Sequence, residues 1–361
     1  MRILLTAGRC GDGTCGVADH TLFLAAQLAK SEQVGLMYKR GTRNLPAYEP
    51  SPGDASGLTL HPMDGFGAKY LKPLLARIAE LKPDIVHLQY PAAEYRFSLL
   101  PLSLAGKRAL FKGARFVVTL HEYHAAHPLR KLAAERLAMA ADAVITPSAE
   151  DFDALHKRFA SKLHYIPDGE FFSLVDMKPD VKRARRMQLI HFGLPSKTKD
   201  FPRMFALYHE LRKLNPALTM KFITPAGAEL QLQKRYYTEG VEFIPTQPLP
   251  ALRALAEESL LALFPFSFDT HRSSLINALS FLTPIMCFGV HPAVARQFAP
   301  DLPFSLDADD SDEKAAVYIS RLCEDFEEAA ASRLAHQARL KARLSMARIA
   351  ASHLSVYNSL A

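Results

Sequence analysis

Short apolar runs alternate along the chain with stretches whose apolar residues fall at helical spacing. RILLT (2–6), VGLMY (34–38), IVHLQY (85–90) and ARFVVTL (114–120) are of the first kind, as are QLIHFG (188–193), LLALF (260–264) and PIMCF (284–288). They read as strands covered on both faces. PRMFALYHELRKL is of the second kind, with Met204, Leu207, Tyr208, Leu211 and Leu214 on one helical face. Strand and helix in repeated alternation predict an α/β protein built on parallel sheets. The alternation breaks once, at the charged, strandless VDMKPDVKRARRM (175–187). That break separates a first domain, 1–178, from a second, 185–344. A chain of 361 residues suits two cores rather than one.

The stretch Phe264–Phe288 reads as strand, polar loop, helix and strand. In such a unit the loop leaving the strand faces the ligand crevice, and the free N–H groups of the next helix point into it. Asp269, His271, Arg272, Ser273 and Ser274 stand where an anion is received. A second anion loop lies after the first strand, where residues 11–16 match G-x-G-x-x-G. The strand that follows ends in Lys39-Arg40 rather than the acid that holds an NAD ribose, so the match leaves only an NADP reading, with nothing else behind it. Its physical content is that glycines let a diphosphate approach the backbone at a helix N-terminus.

Metal chemistry finds little support. HEYHAAH (121–127) lacks the HExxH pattern and has no third ligand at a sensible spacing. Asp307-Ala308-Asp309 precedes a helix whose N-terminus such acids stabilise. Four cysteines form no CxxC pair, which argues against a zinc site or a disulfide framework. Neither a metal nor a bound cofactor is expected.

Charge adds a preference for anionic partners, since the net charge is +7. Nucleotide phosphates, an anionic membrane face, phospholipid carriers and nucleic acid all satisfy it. With no tryptophan and no aromatic platform among the basic clusters, nucleic acid is not expected. Contact with the inner face of a membrane stays open. No apolar run is long enough to span a bilayer, and the start enters a strand directly, so a cytoplasmic location is expected.

Taken in order, several segments resemble the retaining, nucleotide-sugar-dependent glycosyltransferases of family 4 (group 1). They are CGVADHTLFLAAQLA (15–29), PDIVHLQYP (83–91), Thr119 with His121, Ile166 to Gly169, Lys199 in its loop, and Asp269 to Pro284. The resemblance implies the GT-B architecture: two Rossmann-like domains facing across a cleft, with a closing helix at 345–361 crossing back to the first. It implies transfer of a sugar from a nucleoside-diphosphate sugar to a saccharide or lipid-linked acceptor, in cell-surface polysaccharide or glycolipid synthesis, with retention and without metal. It also implies roles. Gly16 approaches the diphosphate, Lys199 and Arg272 neutralise the leaving phosphates, and the helix opening at Ser273 and Ser274 adds N–H groups. Asp269 holds sugar hydroxyls, and His121 lies beside the sugar. Asp269 and Asn277 stand where the family has two glutamates, Asp200 where it has glycine, Leu194 where arginine is frequent, and Met346 where tryptophan is frequent. The loss of the second carboxylate keeps an alternative in play, a catalytically degenerate GT-B protein that binds or scaffolds. A nucleotide-sugar epimerase fits less well, since no convincing set of paired acids is present.

Overall fold

A computed structural model describes the chain apart from residues 10–14, 41–56, 96–97, 112, 125, 175–184, 194, 196–198, 226, 237, 266–272, 289–297, 299–300, 302–303 and 307–311. The polypeptide divides into two compact units, Met1–Asp176 with Leu344–Ala361, and Met177–Arg343.

The first unit is built on a parallel sheet. Its elements are β1 (Arg2–Thr6), α1 (Gly16–Leu28), β2 (Gln33–Lys39), β3 (Leu58–Met63), α2 (Leu71–Leu81), β4 (Ile85–Pro91) and the single turn α3 (Ala92–Tyr95). They continue with α4 (Leu100–Gly106), β5 (Arg115–His121), α5 (Pro128–Ala140), β6 (Ala143–Thr146), α6 (Ala149–Phe159) and β7 (Leu163–Tyr165). The strand order is β3-β2-β1-β4-β5-β6-β7. Because side chains alternate across a strand, each central strand feeds two layers. Leu4, Val86, Leu88, Phe116, Val118 and Leu120 pack with Leu74 and Ile78 of α2, Leu104 of α4, Leu137 of α5 and Leu155 of α6. The intervening positions face the other layer.

That other layer explains why α1 is apolar almost all round. Every residue from Ala18 to Leu28 is buried, because the helix lies between the sheet and a last helix that the chain returns to add. Met346 is 1% exposed, and its sulfur is among the atoms a side chain at Gly169 would strike.

The second unit carries β8 (Arg186–Phe192), α7 (Phe201–Leu214), β9 (Thr219–Thr224), α8 (Glu229–Arg235), β10 (Val241–Pro245) and α9 (Leu249–Glu257). There follow β11 (Ser259–Pro265), α10 (Ser273–Ala278), β12 (Ile285–Phe288), β13 (Phe304–Leu306), α11 (Asp312–Glu324) and α12 (Phe326–Arg343). Its parallel sheet runs β10-β9-β8-β11-β12-β13. The returning helix of the first unit is α13 (Met346–Asn358). The helix expected between the two strands of Phe264–Phe288 runs only from Ser273 to Ala278 and gives way to turns. Gln337 of α12 fixes the strand start beyond those turns: its Nε2 donates to the Thr283 carbonyl at 3.0 Å, and its Oε1 accepts from the Ile285 N–H at 2.9 Å.

Candidate functional site

In an open parallel sheet a crevice forms outside the carboxyl ends of the two strands where the order reverses. In the second unit those strands are β8 and β11. β8 ends at Phe192 and hands the chain to Gly193, whose φ of +134° suits glycine. A Cβ built on Gly193 would stand 2.7 Å from Lys199 Nζ and 2.9 Å from Ser274 Oγ. The loop after β8 and the start of α10, 75 residues apart in sequence, therefore converge on one glycine. Asp200, where the resemblance puts glycine, is the N-cap of α7, its side chain accepting from the Arg203 N–H at 3.2 Å.

Lys199 is not a surface lysine, being only 7% exposed. Burial away from water disfavours the ammonium and brings its pKa from 10.5 down to about 7. Among the described residues no carboxylate forms an ion pair with it. Nearby His191 is pushed down to about 3, first by burial and then by the charge of Lys199. The neutral ring donates from Nδ1 to the Leu263 carbonyl at 2.7 Å. Ser273 and Ser274 are half-buried at the start of α10, and Asn277 is buried within it at 1% exposure. Asp269 and Arg272 lie outside the described residues, as does His271.

The first unit gathers a different group. His87 and Gln89 on β4, and Thr119 and His121 on β5, are alternate positions facing α1 and α13, and all four are buried. The His121 Nε2–H donates to Gln89 Oε1 at 2.8 Å, which holds the ring at the mouth of the sheet. His87 is satisfied by side chains. Its Nδ1 lies 2.6 Å from the Tyr357 hydroxyl of α13 and its Nε2 lies 2.8 Å from Thr119 Oγ1. His353 of α13 donates from Nδ1 to the Ile349 carbonyl at 2.9 Å. His20 of α1 accepts at Nδ1 from the Gly169 N–H at 3.4 Å. Gly16 opens α1, so the first free N–H groups of that helix follow it directly.

The loop after His121 has its own anchor, which sequence reasoning missed. Glu122 takes φ +61°, and the next two N–H groups, of Tyr123 and His124, donate to the Asp151 carboxylate at 2.9 and 2.6 Å. Asp151 sits in the first turn of α6, whose N-cap is Ser148, with Oγ accepting from the Asp151 N–H at 3.3 Å. Helix-start composition reveals the cap, but not that the acid behind it clamps another loop. Asp151→Ala leaves two N–H groups without that acceptor, and we expect a loss of about 2–3 kcal/mol, seen as a melting temperature several degrees lower. An unchanged melting temperature would remove Asp151 from this role.

Residues 14–169 match the model of Glycosyltransferase Family 4. No curated protein matches the chain in sequence. Among solved structures, sucrose-phosphate synthase from Thermosynechococcus elongatus is similar, with a TM-score of 0.72 at 14% identity over 100% of this chain and 99% of that one. Anabaena HepE in complex with UDP and glucose gives 0.72 at 16% identity over 99% and 100%. An alpha-glucosyltransferase in complex with UDP-glucose and DNA containing an abasic site gives 0.72 at 14% over 99% of each chain. The whole chain thus has the GT-B fold, and with a Glycosyltransferase Family 4 domain over residues 14–169 it is a glycosyltransferase.

Proposed function

We propose that this protein transfers a sugar from a nucleoside-diphosphate sugar to an acceptor hydroxyl, with the donor's diphosphate held at the β8–β11 crevice. The observation that carries the reading is Lys199: a buried ammonium set against Gly193 and Ser274, in a place with room for backbone approach but not for a Cβ. In this reading the protein stabilises charge on the departing diphosphate. A buried cation there acts in a low dielectric and needs no reorganisation at the moment of bond breaking. Arg272 and the N–H groups after Ser273 complete the cradle. The family resemblance supports further roles: Asp269 for sugar hydroxyls, Asn277 for the nucleoside side, Gly16 for the diphosphate and His121, oriented by Gln89, for the sugar. Lys199 and Arg272 supply the positive charge, and no metal is required. Transfer with retention, onto a saccharide or lipid-linked acceptor of cell-surface polysaccharide or glycolipid synthesis, follows the family resemblance.

HepE is in complex with UDP and glucose and the alpha-glucosyltransferase with UDP-glucose, which makes uridine the first base to try. The test is calorimetric titration with UDP, GDP, ADP, CDP, dTDP and NADP. One nucleoside diphosphate binds selectively, and at pH 8 its binding takes up about one proton, because a diphosphate beside Lys199 raises the pKa from about 7. Affinity then weakens by up to about tenfold per pH unit above 7, for as long as the bound pKa stays above the solution pH. Binding without proton uptake would remove Lys199 from the phosphate site. No binding by any diphosphate would favour the scaffold reading, which the asparagine at 277 already invites.

A further inference from the structure

In the first unit, α4 packs against both α5 and the 3-10 turn Arg108–Phe111, on the sheet layer opposite α1 and α13. Their exposed surface is unusually apolar. Leu129, Leu132 and Met139 are 61%, 51% and 42% exposed, and with Arg136 they form one stripe along α5 at spacings of three and four residues. Leu99, at 61%, precedes α4, and Leu110, at 54%, lies on the 3-10 turn. These five make up half of the large apolar side chains exposed among the described residues, so the clustering is not the ordinary scatter of surface leucines.

The same segment is basic. Residues 99–140 hold seven lysines and arginines against two glutamates, which places most of the net charge of +7 in this part of the chain. The acid of α5, Glu135, is half-buried and already engaged. It pairs with Arg158 and accepts from the Tyr123 hydroxyl at 2.8 Å. Lys107 and Arg136 are exposed at the margin and within the stripe, and Lys131 lies 5.7 Å from the centre of the Tyr123 ring. Arg108 is committed to the Ala140 carbonyl and, at 2.7 Å, to the Asp142 carboxylate, and Lys162 to the Met139 and Ala141 carbonyls, which fixes the 3-10 turn beside Met139 and leaves Lys107 and Arg136 as the cations available there.

We propose that this face docks on an anionic lipid bilayer, its leucines and Met139 entering the interface and its lysines and arginines meeting the headgroups. Apolar side chains in a stripe bordered by cations are the pattern of an interfacial helix, and cations alone would be enough for a soluble polyanion. A second copy of the chain fits less well, since a symmetric interface would set Lys107 and Arg136 against like charges. No described helix is long and apolar enough to cross a membrane. The inference stands apart from the donor site, and its readout needs no turnover.

Vesicle flotation tests it, with phosphatidylglycerol–phosphatidylcholine vesicles against pure phosphatidylcholine. The chain has no tryptophan. Leu132→Trp therefore supplies a sole indole whose emission reports entry into the bilayer. The expected result is binding to anionic vesicles alone, weakened by high salt, with a blue shift of the Leu132→Trp emission. Leu129→Ser/Leu132→Ser and Lys107→Glu/Arg136→Glu should each lower binding at least tenfold while melting temperature and nucleoside-diphosphate binding stay as in the wild type. No flotation of the wild type, or flotation that neither double variant reduces, would overturn the proposal. A concentration-dependent dimer lost in the leucine variant, without flotation, would assign the face to a second copy.

Discussion

Lys199→Met is expected to lower kcat/KM for the sugar donor by about 10²–10³ while making the unliganded protein more stable. The two effects share one cause. Lys199 is 7% exposed, and its ammonium is disfavoured enough to bring the pKa from 10.5 to about 7. The unfolded chain therefore binds more protons than the native one between those values, and native stability rises with pH through that window. Below pH 7 the full cost is present, on the order of a few kcal/mol. Methionine keeps the length and apolar stem without the charge. The gain in melting temperature should be largest below pH 7 and fade towards pH 10. Turnover should move the other way if, as proposed, a bound diphosphate compensates the buried charge and loses its partner in the variant. Steady-state kinetics and thermal melts across pH check both arms. Donor turnover near wild type in Lys199→Met would sink the phosphate assignment, and a lower melting temperature would mean that the lysine is held by favourable contacts.

A buried lysine at the proposed phosphate site also marks where the sequence could be read and where it could not. The apolar runs gave the strands, because a parallel strand covered on both faces must be apolar throughout, and every run named lies within a few residues of an observed strand. Order was less accessible. β1 lies beside β4, and β8 beside β11, through contacts that span dozens of residues and that no local pattern records. The family resemblance points to Lys199, but its burial is not legible in the sequence, since a lysine in a polar loop normally lies in water. Asp151 shows the same gap. Its position after Ser148 announces a helix start, whereas its two bonds to the Tyr123 and His124 N–H groups exist only once α6 packs beside β5. Gln89 and Gln337 are likewise polar residues in apolar surroundings, and their work appears only with the partners His121 and Ile285 in place.

Acid should unfold the protein early, and the histidines are the reason. His20, His87 and His353 in the first unit and His191 in the second are buried, and in each the pKa is lowered, with loss of solvation as the leading cause. In the first unit, His20 and His121 press His353 further down by charge, while the Ile349 carbonyl and Asp168 act in the opposite direction; the balance is about 4. Between pH 6.5 and that value the unfolded chain takes a proton at this ring and the native protein does not. Stability is therefore fully present above pH 6.5 and falls as pH drops through the window. For His353 alone the loss is roughly 3 kcal/mol by pH 4, a large share of the roughly 5–15 kcal/mol that holds a typical domain. His87 and His20 add to it through the same α1, β4 and α13 contacts. Circular dichroism followed from pH 7 to 4 should show the first unit unfolding well above the usual carboxylate range. His353→Leu should move that transition to lower pH, and the exposed His209→Leu should leave it in place. An acid transition indifferent to His353→Leu would show that the carboxylates, not the buried imidazoles, set the limit.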